Sequence, residues 1–144
     1  MATTTRTDSK SNSTFRIEID GVALGGVSEC SGLGSENEVI RYREGNDVAE
    51  RLLPGRTTYS AITLKRGITA DLTLWNWYKQ TVDGKVNRRS VVIVLLDDER
   101  KDVARWAVRN GFPAKYTGPT FNATSNEVAI ETLEIAHEGI ERAQ

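Results

Sequence analysis

The sequence contains one cysteine, Cys30, and one histidine, His137, among its 144 residues. A single cysteine excludes an intramolecular disulfide and fits synthesis in a reducing compartment. The two residues do not supply the Cys/His spacing of a zinc site, and no nucleophile motif or paired carboxylate accompanies His137. We therefore expect no metal, no cofactor and no enzyme activity. Cys30 is interpreted as a small hydrophobic residue, and His137 as a buried, hydrogen-bonded imidazole.

Long apolar segments and a surplus of one charge are also missing. No apolar run approaches the roughly 18–20 residues of a membrane span, and residues 1–13 have no hydrophobic region that would predict a secretory signal. Nineteen basic residues face twenty acidic ones, whereas a nucleic-acid binder would normally carry a basic stripe. We expect a protein made in the cytoplasm, without stable membrane insertion, that leaves its cell only in an assembled particle or by lysis.

Two segments resemble ligand-binding motifs but are incomplete. The glycines of residues 25–34 lack the third glycine of a dinucleotide fingerprint, and no Gly-Lys-Ser/Thr occurs anywhere. Three consecutive acids occur at residues 97–99; their side chains point in different directions, and no histidine accompanies them to complete a metal site. We interpret the first segment as a loop between strands and the second as a charged hairpin turn.

Apolar and polar residues alternate in segments that predict β-strands at residues 15–19, 22–24, 36–44, 59–66, 86–96 and 103–110. Asp20-Gly21 predicts a tight turn between the first two strands. In the segment 59–66, Ile62 and Leu64 are expected to face inward. Residues 45–57 contain Pro54-Gly55 and predict a long connector, of the kind that is usually functional or mobile.

Residues 71–81 predict the helix, because Asp71 can cap its start and Gly84 lies past its end. Its apolar residues cover an arc wider than one sheet can easily bury, so either deep burial or a second contact surface is expected. One stripe along the predicted helix consists of Leu72, Trp75, Lys79 and Val82. The apolar residues beside this stripe are Leu74, Trp77 and Tyr78.

The C-terminal part divides into a Pro- and Gly-containing connector at residues 112–120, predicted to be irregular, and a strand within residues 124–137. Apolar residues occupy even positions at Val128 and Ile130, then odd positions at Leu133 and Ile135. This change of phase requires either a bulge near residues 131–132 or a strand that serves two sheets. We therefore predict a flexible arm at residues 1–13 and one mainly β domain at residues 14–142, built as a sandwich or barrel of two packed antiparallel sheets with one flanking helix.

The order of several short motifs suggests a family. Residues 112–119 read Phe-Pro-x-Lys-Tyr-x-Gly-Pro, and residues 133–139 read Leu-Glu-Ile-Ala-His-Glu-Gly. Upstream are Phe-Arg-Ile-Glu-Ile-Asp-Gly at 15–21, Cys-Ser-Gly-Leu at 30–33, Leu-Pro-Gly at 53–55 and Leu-Lys-Arg-Gly-Ile at 64–68. Over roughly residues 14–142 the chain resembles the tail tube proteins of contractile phages and of phage-tail-like contractile injection systems.

This resemblance implies a structural subunit rather than a catalyst. Hexameric rings would stack into a hollow conduit for a protein effector or DNA, with one sheet of each subunit joining a continuous β-barrel around the lumen. The implied partners are further copies of the chain, a surrounding sheath whose contraction drives the tube through a target membrane, baseplate and tail-terminator proteins, and cargo. The location would be a virion tail or an injection particle. The alternative function, from another class of protein, is that of a small-ligand or carbohydrate-binding β-barrel module.

Two sets of residues follow from the resemblance and the strand pattern together. The predicted subunit interface lies in the 45–57 connector, the helix and the second connector, and comprises Glu44, Asn46, Val48, Arg51, Leu52, Leu53, Arg56, Trp77, Lys115 and Tyr116. The predicted lumenal face uses the charged or polar positions of half-buried strands, and comprises Arg41, Arg43, Thr63, Lys65, Glu127 and Glu131.

Overall fold

A computed structural model describes residues 14–143. This part of the chain forms ten strands and one helix, in the order β1 (Phe15–Ile19), β2 (Val22–Leu24), β3 (Val27–Ser31), β4 (Ser35–Tyr42), β5 (Arg51–Tyr59), β6 (Ile62–Gly67), α1 (Thr73–Val82), β7 (Arg89–Leu96), β8 (Asp102–Thr117), β9 (Ile130–Ala136) and β10 (Gly139–Arg142). The arm predicted at residues 1–13 lies outside the described residues.

The first sheet has the strand order β2–β1–β7–β8–β10 and is antiparallel throughout. Its β1–β2 hairpin turns at Asp20 and Gly21, whose φ angles of 50° and 82° are those that a two-residue hairpin turn requires. Asp97 closes the β7–β8 turn by accepting hydrogen bonds from the backbone N–H groups of Glu99 and Lys101 at 2.9 and 2.8 Å. Both predicted hairpins are confirmed.

The second sheet has the order β8–β9–β6–β3 and shares β8 with the first. The first half of β8 pairs with β7 and β10, and residues 112–117 pair with β9. The irregular connector predicted at 112–120 is therefore wrong over residues 112–117. Pro113 lies beside a register shift in the β8–β9 pairing, a position where a residue without an N–H is tolerated within a strand.

The phase change near residue 130 marks the start of β9 rather than a bulge inside it. Val128 lies before the strand and is exposed, whereas Leu133 and Ile135 are fully buried. After β9, residues 137–138 make a bend and β10 joins the first sheet. Both predicted alternatives are therefore wrong, because β9 contains no bulge and pairs only within the second sheet, and β10 is a separate strand.

The inward faces of the two sheets and one face of α1 form a single core. It contains Ile17, Ile19, Val91, Ile93 and Val108 from the first sheet, Ile62, Leu64, Leu133 and Ile135 from the second, and Leu74 and Trp77 from the helix. Each of these large side chains contributes roughly 1.5–3 kcal/mol through its removal from water.

Helix α1 begins at Thr73 rather than at residue 71, and Leu72 occupies its N-cap position, so the prediction that Asp71 caps the helix is wrong. The Asp71 carboxylate accepts hydrogen bonds from the backbone N–H and the hydroxyl of Thr73, and Gly84 follows the helix with a φ of 82°. Trp77 is 1% exposed, and its Nε1–H donates to the carbonyl oxygen of Asn87 at 2.7 Å. The assignment of Trp77 to a subunit interface is therefore wrong, because this side chain completes the subunit's own core. Trp75 and Val82 on the helix, and Leu72 just before it, are exposed apolar residues.

Strands β4 and β5 form a separate two-stranded hairpin. The connector predicted at residues 45–57 is wrong over residues 51–57, which belong to β5. Pro54 pairs with Val39 next to a register shift, in a strand with one neighbour, so its missing N–H interrupts no second ladder. Nearly every residue of the hairpin is exposed, including its apolar residues Val39, Ile40, Val48, Leu52 and Leu53.

Candidate functional site

The outward face of the second sheet carries a block of polar side chains. Because side chains alternate along a strand, the positions between the buried residues of each strand point away from the core. The strand register aligns them in two rows across the sheet, one of Glu29, Lys65, Thr132 and Thr117 and the other of Ser31, Thr63, Glu134 and Lys115. We call these eight residues the polar face.

Charges on the polar face cancel within each row. Lys65 Nζ lies 3.4 Å from Glu29 Oε2, and Lys115 Nζ lies 3.9 Å from Glu134 Oε2. Each row holds one acid and one base, and the remaining positions are Thr or Ser. Exposed pairs of this kind contribute little to stability, so their effect is on the surface itself, which is hydrated and carries no net charge.

Only part of the predicted lumenal set lies on the polar face. Thr63 and Lys65 do, as expected from their alternation with Ile62 and Leu64. Arg41 lies on β4, and Arg43 follows that strand; both belong to the hairpin because β4 pairs with β5 and with no other described strand. Glu127 lies in the segment between β8 and β9.

Glu131, the remaining predicted lumenal residue, is 6% exposed and points inward, so that assignment is wrong. It is in phase with Leu133 and Ile135, and its carboxylate is held by a buried cation. The sequence analysis also missed the outward positions of β3 and β9, and it placed Lys115 at an interface. The alternation of β9 around Leu133 and Ile135 was the signal that could have identified Thr132 and Glu134.

Arg66 is the buried cation that pairs with Glu131. It is 1% exposed, and its Nε donates to Glu131 Oε1 at 3.1 Å. Its two terminal nitrogens donate to the carboxylate of Asp71 at 2.9 Å and to the backbone oxygen of Asp71 at 2.8 Å. The other oxygen of Glu131 accepts from the Tyr116 hydroxyl at 2.8 Å. These contacts connect three strands of the second sheet to Asp71, which lies just before α1.

The same contacts set two pKa values. Burial, and then the neighbouring Glu131 carboxylate, raise the pKa of Tyr116 to about 12. Hydrogen bonds from Thr73, followed by the one from Arg66, lower the pKa of Asp71 below its usual value. Tyr116 is therefore a neutral donor at physiological pH, and Asp71 is a carboxylate.

Tyr116, predicted as an interface residue, is half-buried and belongs to a cluster of three aromatic rings. Its ring centroid is 5.0 Å from that of Trp75 and 5.8 Å from that of Tyr78. Trp75 remains 40% exposed at the edge of this cluster. The helix thus presents an aromatic edge to its surroundings, through Trp75 rather than through Trp77.

Both lateral edges of the second sheet are open. Among the described residues, β3 pairs only with β6, and residues 112–117 of β8 pair only with β9. Each edge therefore carries backbone donors and acceptors that no described strand satisfies. All neighbouring strands of this sheet are antiparallel, so the two edge strands run in opposite directions.

The hairpin projects from a well-defined base. Gly32 has a φ of 94°, and a Cβ there would fall on the carbonyl oxygen of Ala61. His137 Nε2–H donates to the carbonyl oxygen of Ser60 at 2.8 Å, and its Nδ1 accepts from the backbone N–H of Gly139 at 3.3 Å. The prediction of a hydrogen-bonded His137 is confirmed, although the ring is half-buried.

Seven predicted interface residues lie on the hairpin, and all of them are exposed: Glu44, Asn46, Val48, Arg51, Leu52, Leu53 and Arg56. Ion pairs within the hairpin join Arg41 to Glu50 at 3.5 Å and Arg51 to Asp47 at 2.9 Å. Isolated two-stranded hairpins are marginally stable in water, and this one leaves apolar residues exposed on both strands. The hairpin is therefore suited to contact another protein surface.

Residues suited to chemistry do not cluster. Within residues 14–143, no group of three or more His, Cys, Asp and Glu side chains is placed to hold a metal ion. Cys30 is half-buried on β3 against the core, as predicted for a small hydrophobic residue, and burial raises the pKa of its thiol to about 11. No helix in this range is long and apolar enough to cross a membrane.

The chain matches a known protein family. The family model for the T4-like virus tail tube protein gp19 matches residues 11–141. The chain belongs to this tail tube family. The predicted family is thereby confirmed, and so is the mainly β fold of antiparallel sheets with one helix. A comparison with curated proteins finds no match.

Solved structures support the same fold. A chain of the PVC extracellular contractile injection system, in its extended sheath-tube complex, is 24% identical over 93% of this tail tube chain and 90% of that chain, with a TM-score of 0.85. A chain of the anti-feeding prophage cap is 22% identical over 98% and 95%, with a TM-score of 0.87. Hcp1 from Flavobacterium johnsoniae is 14% identical over 90% and 94%, with a TM-score of 0.56.

Proposed function

We propose that the chain is the inner tube subunit of a contractile tail or injection particle. Hexameric rings stack into a hollow conduit for a protein effector or DNA, and sheath contraction drives this conduit through a target membrane. The observation that carries the proposal is the second sheet, which combines a polar outward face with two open edges of opposite direction. No reaction is involved, because the subunit acts by assembly and by passive conduction.

Ring closure follows from the strand directions. Rotation about the axis of a ring keeps the direction of every strand, so β3 of one subunit meets residues 112–117 of the next in antiparallel orientation. Each subunit then satisfies the backbone groups that its neighbour leaves unpaired. With four strands from each of six copies, the barrel has about 24 strands, which encloses a channel rather than a packed core.

The polar face would line this channel. Its rows of neutralised charges and small hydroxyl side chains offer a cargo neither an apolar surface nor a field of one sign. Passage of either a protein or a nucleic acid then requires few contacts to be broken. The open sheet edges do not fit the alternative of a self-contained ligand-binding barrel.

The exposed hairpin and the aromatic edge at Trp75 are the surfaces left for contacts outside the barrel. The hairpin residues and Tyr116 therefore remain our proposed interface, and Trp75 is added to it. Trp77 is removed because it is buried, and Lys115 is removed because it lies on the polar face. Beyond further copies of the chain, the proposed partners are a sheath, baseplate and terminator proteins, and cargo. Related chains occur in structures of a sheath-tube complex, a tube cap and a baseplate. Synthesis in the bacterial cytoplasm precedes incorporation into the particle.

Negative-stain electron microscopy of the purified chain tests the proposal. We expect discs with a central hole or hollow rods, and sedimentation velocity should show the corresponding ring-sized species. A chain that stays strictly monomeric at high concentration, with and without tube-capping or baseplate proteins, contradicts it.

A further inference from the structure

One row of inward side chains in the second sheet is buried in its middle and uncovered at both ends. The row runs from Cys30 on β3 through Leu64 and Leu133 to Tyr116 on β8, since these residues pair in register across four strands. Leu64 and Leu133 are fully buried, whereas Cys30 and Tyr116 are only half-buried. The core of the described subunit is therefore incompletely covered at both open edges of this sheet.

At the β8 edge, the uncovered surface is aromatic. Helix α1 packs against β8, and the rings of Trp75 and Tyr78 on this helix contact the ring of Tyr116. We call these three residues the aromatic cluster. Because Tyr116 lies on the inward side of an edge strand, a strand that paired with residues 112–117 would bring its own inward side chains to this cluster.

The aromatic cluster is held in place before any partner arrives. The Tyr116 hydroxyl donates to Glu131 Oε2 at 2.8 Å, and the other oxygen of that carboxylate accepts from Arg66 Nε at 3.1 Å. Both Glu131 and Arg66 are buried. A surface that is already ordered loses less conformational entropy on association, so the cluster is suited to anchor an interface.

At the β3 edge, the uncovered side chains are small and apolar. Val27 and Cys30 point inward, because they pair with the buried residues Arg66 and Leu64. Both are half-buried and pack at the margin of the core. The two edges thus offer, on the same side of the sheet, an aromatic surface and an aliphatic one.

We propose that Trp75 and Tyr116 of one subunit pack against Val27 and Cys30 of the next subunit in the same ring. This inference rests on the proposed tube function, and it adds a side-chain core to the backbone pairing between β3 and residues 112–117. The two surfaces lie at opposite lateral edges of one sheet, so they meet only between subunits that stand side by side. Aromatic side chains reach both the directly opposite and the diagonal positions of a neighbouring strand.

Substitution of Trp75 tests the energetic part of the proposal. Trp75→Ser should raise the concentration at which half of the subunits form rings by at least tenfold, since a buried tryptophan commonly dominates an interface. Trp75→Phe keeps an aromatic ring and should stay within about threefold of the wild type. Val82→Ser is the matched control, because Val82 is an exposed apolar residue of the same helix outside the cluster.

Sedimentation velocity measures ring formation in these variants, and urea unfolding of the dilute subunit shows that each one is folded. Ring formation by folded Trp75→Ser at the wild-type concentration overturns the proposal. An equal loss of rings in Val82→Ser overturns it as well, because the effect would then not be specific to the aromatic cluster.

Cross-linking tests the position of the partner. In Val27→Cys/Trp75→Cys/Cys30→Ala, at a concentration where this variant forms rings, a short bifunctional maleimide should produce a ladder that ends at six subunits on a denaturing gel. A ladder that continues past six subunits would place the contact between rings, and rings that give no ladder would separate the two surfaces. Both results overturn the inference while leaving the tube function intact, whereas a wild-type chain that forms no rings contradicts the proposed function itself.

Discussion

Arg66 Nε donates to Glu131 Oε1 at 3.1 Å, and both side chains are buried beneath the polar face of the second sheet. A buried ion pair is costly to desolvate, so removing one partner leaves an uncompensated charge in the interior. The pair also extends to Asp71 and Tyr116, so its loss affects the junction between the sheet and α1.

Arg66→Met should lower the free energy of unfolding by about 3–5 kcal/mol, because Glu131 is then buried without its cation. Urea unfolding of the dilute subunit, followed by tryptophan fluorescence, measures the change. The double variant Arg66→Met/Glu131→Leu should recover most of the loss, since it removes both charges. A single variant within about 0.5 kcal/mol of the wild type would contradict the assignment of Arg66 to the interior.

Alkaline pH should destabilise the subunit through Tyr116. Its pKa is raised to about 12 in the folded chain, against about 10 for an unfolded tyrosine. Neutral Tyr116 therefore contributes fully to the stability of the folded chain below a pH of about 10, and this contribution is lost as the pH rises toward about 12. Tyr116→Phe should show a shallower fall in unfolding free energy across this range.

Absorbance at 295 nm provides the direct measurement for Tyr116. The chain has four tyrosines, and one of them should ionise later than the others in the wild type. That late step should be missing from Tyr116→Phe. If all tyrosines of the wild type ionised together near their ordinary pKa, the hydrogen bond to Glu131 would not be present in solution.

Lys65→Glu should leave folding intact while changing conduction. The side chain is exposed on the polar face, so the unfolding free energy should stay within about 0.5 kcal/mol of the wild type. Its row of the polar face would then hold two acidic side chains and no basic one. Because like charges repel, an acidic cargo should be loaded less efficiently. Cargo content of assembled particles is the measurement, with Lys101→Glu in the β7–β8 turn as the control. Equal loading of the two variants argues against Lys65 lining the channel.

Leu52→Ser/Leu53→Ser should weaken assembly without weakening the subunit. Both side chains are exposed on β5 outside the core, so the unfolding free energy of the dilute subunit should change by less than about 0.5 kcal/mol. Sedimentation velocity should show a shift from large assemblies to smaller species. Leu64→Ser is the contrasting variant, because its site is fully buried and its substitution should unfold the subunit.

The sequence allowed most of the core to be predicted, because one-sided burial produces alternation. Ile62, Leu64, Leu133 and Ile135 all point inward as their spacing indicates. The same rule applied to charged residues would also have placed Arg66 and Glu131 inside, since both are in phase with these apolar positions. Reading every charged strand position as outward caused the error at Glu131.

The second strand of the hairpin, β5, could not be predicted for the opposite reason. Both of its faces are exposed in the subunit, so burial imposes no alternation, and apolar residues occur in adjacent positions at Leu52 and Leu53. Pro54 and Gly55 then looked like strand breakers, although an edge strand with a register shift accommodates them. The pattern of such an element is set by its partners in the assembly, which one sequence does not reveal.

Strand β8, from Asp102 to Thr117, runs without interruption through both sheets. A particle built from such subunits has an inner lining and an outer layer that are joined by covalent bonds in every copy. A shear force applied to the outer layer during penetration would therefore be transmitted along β8 to the inner lining. The two layers could slide past one another only if β8 lost its pairing with its neighbours in both sheets.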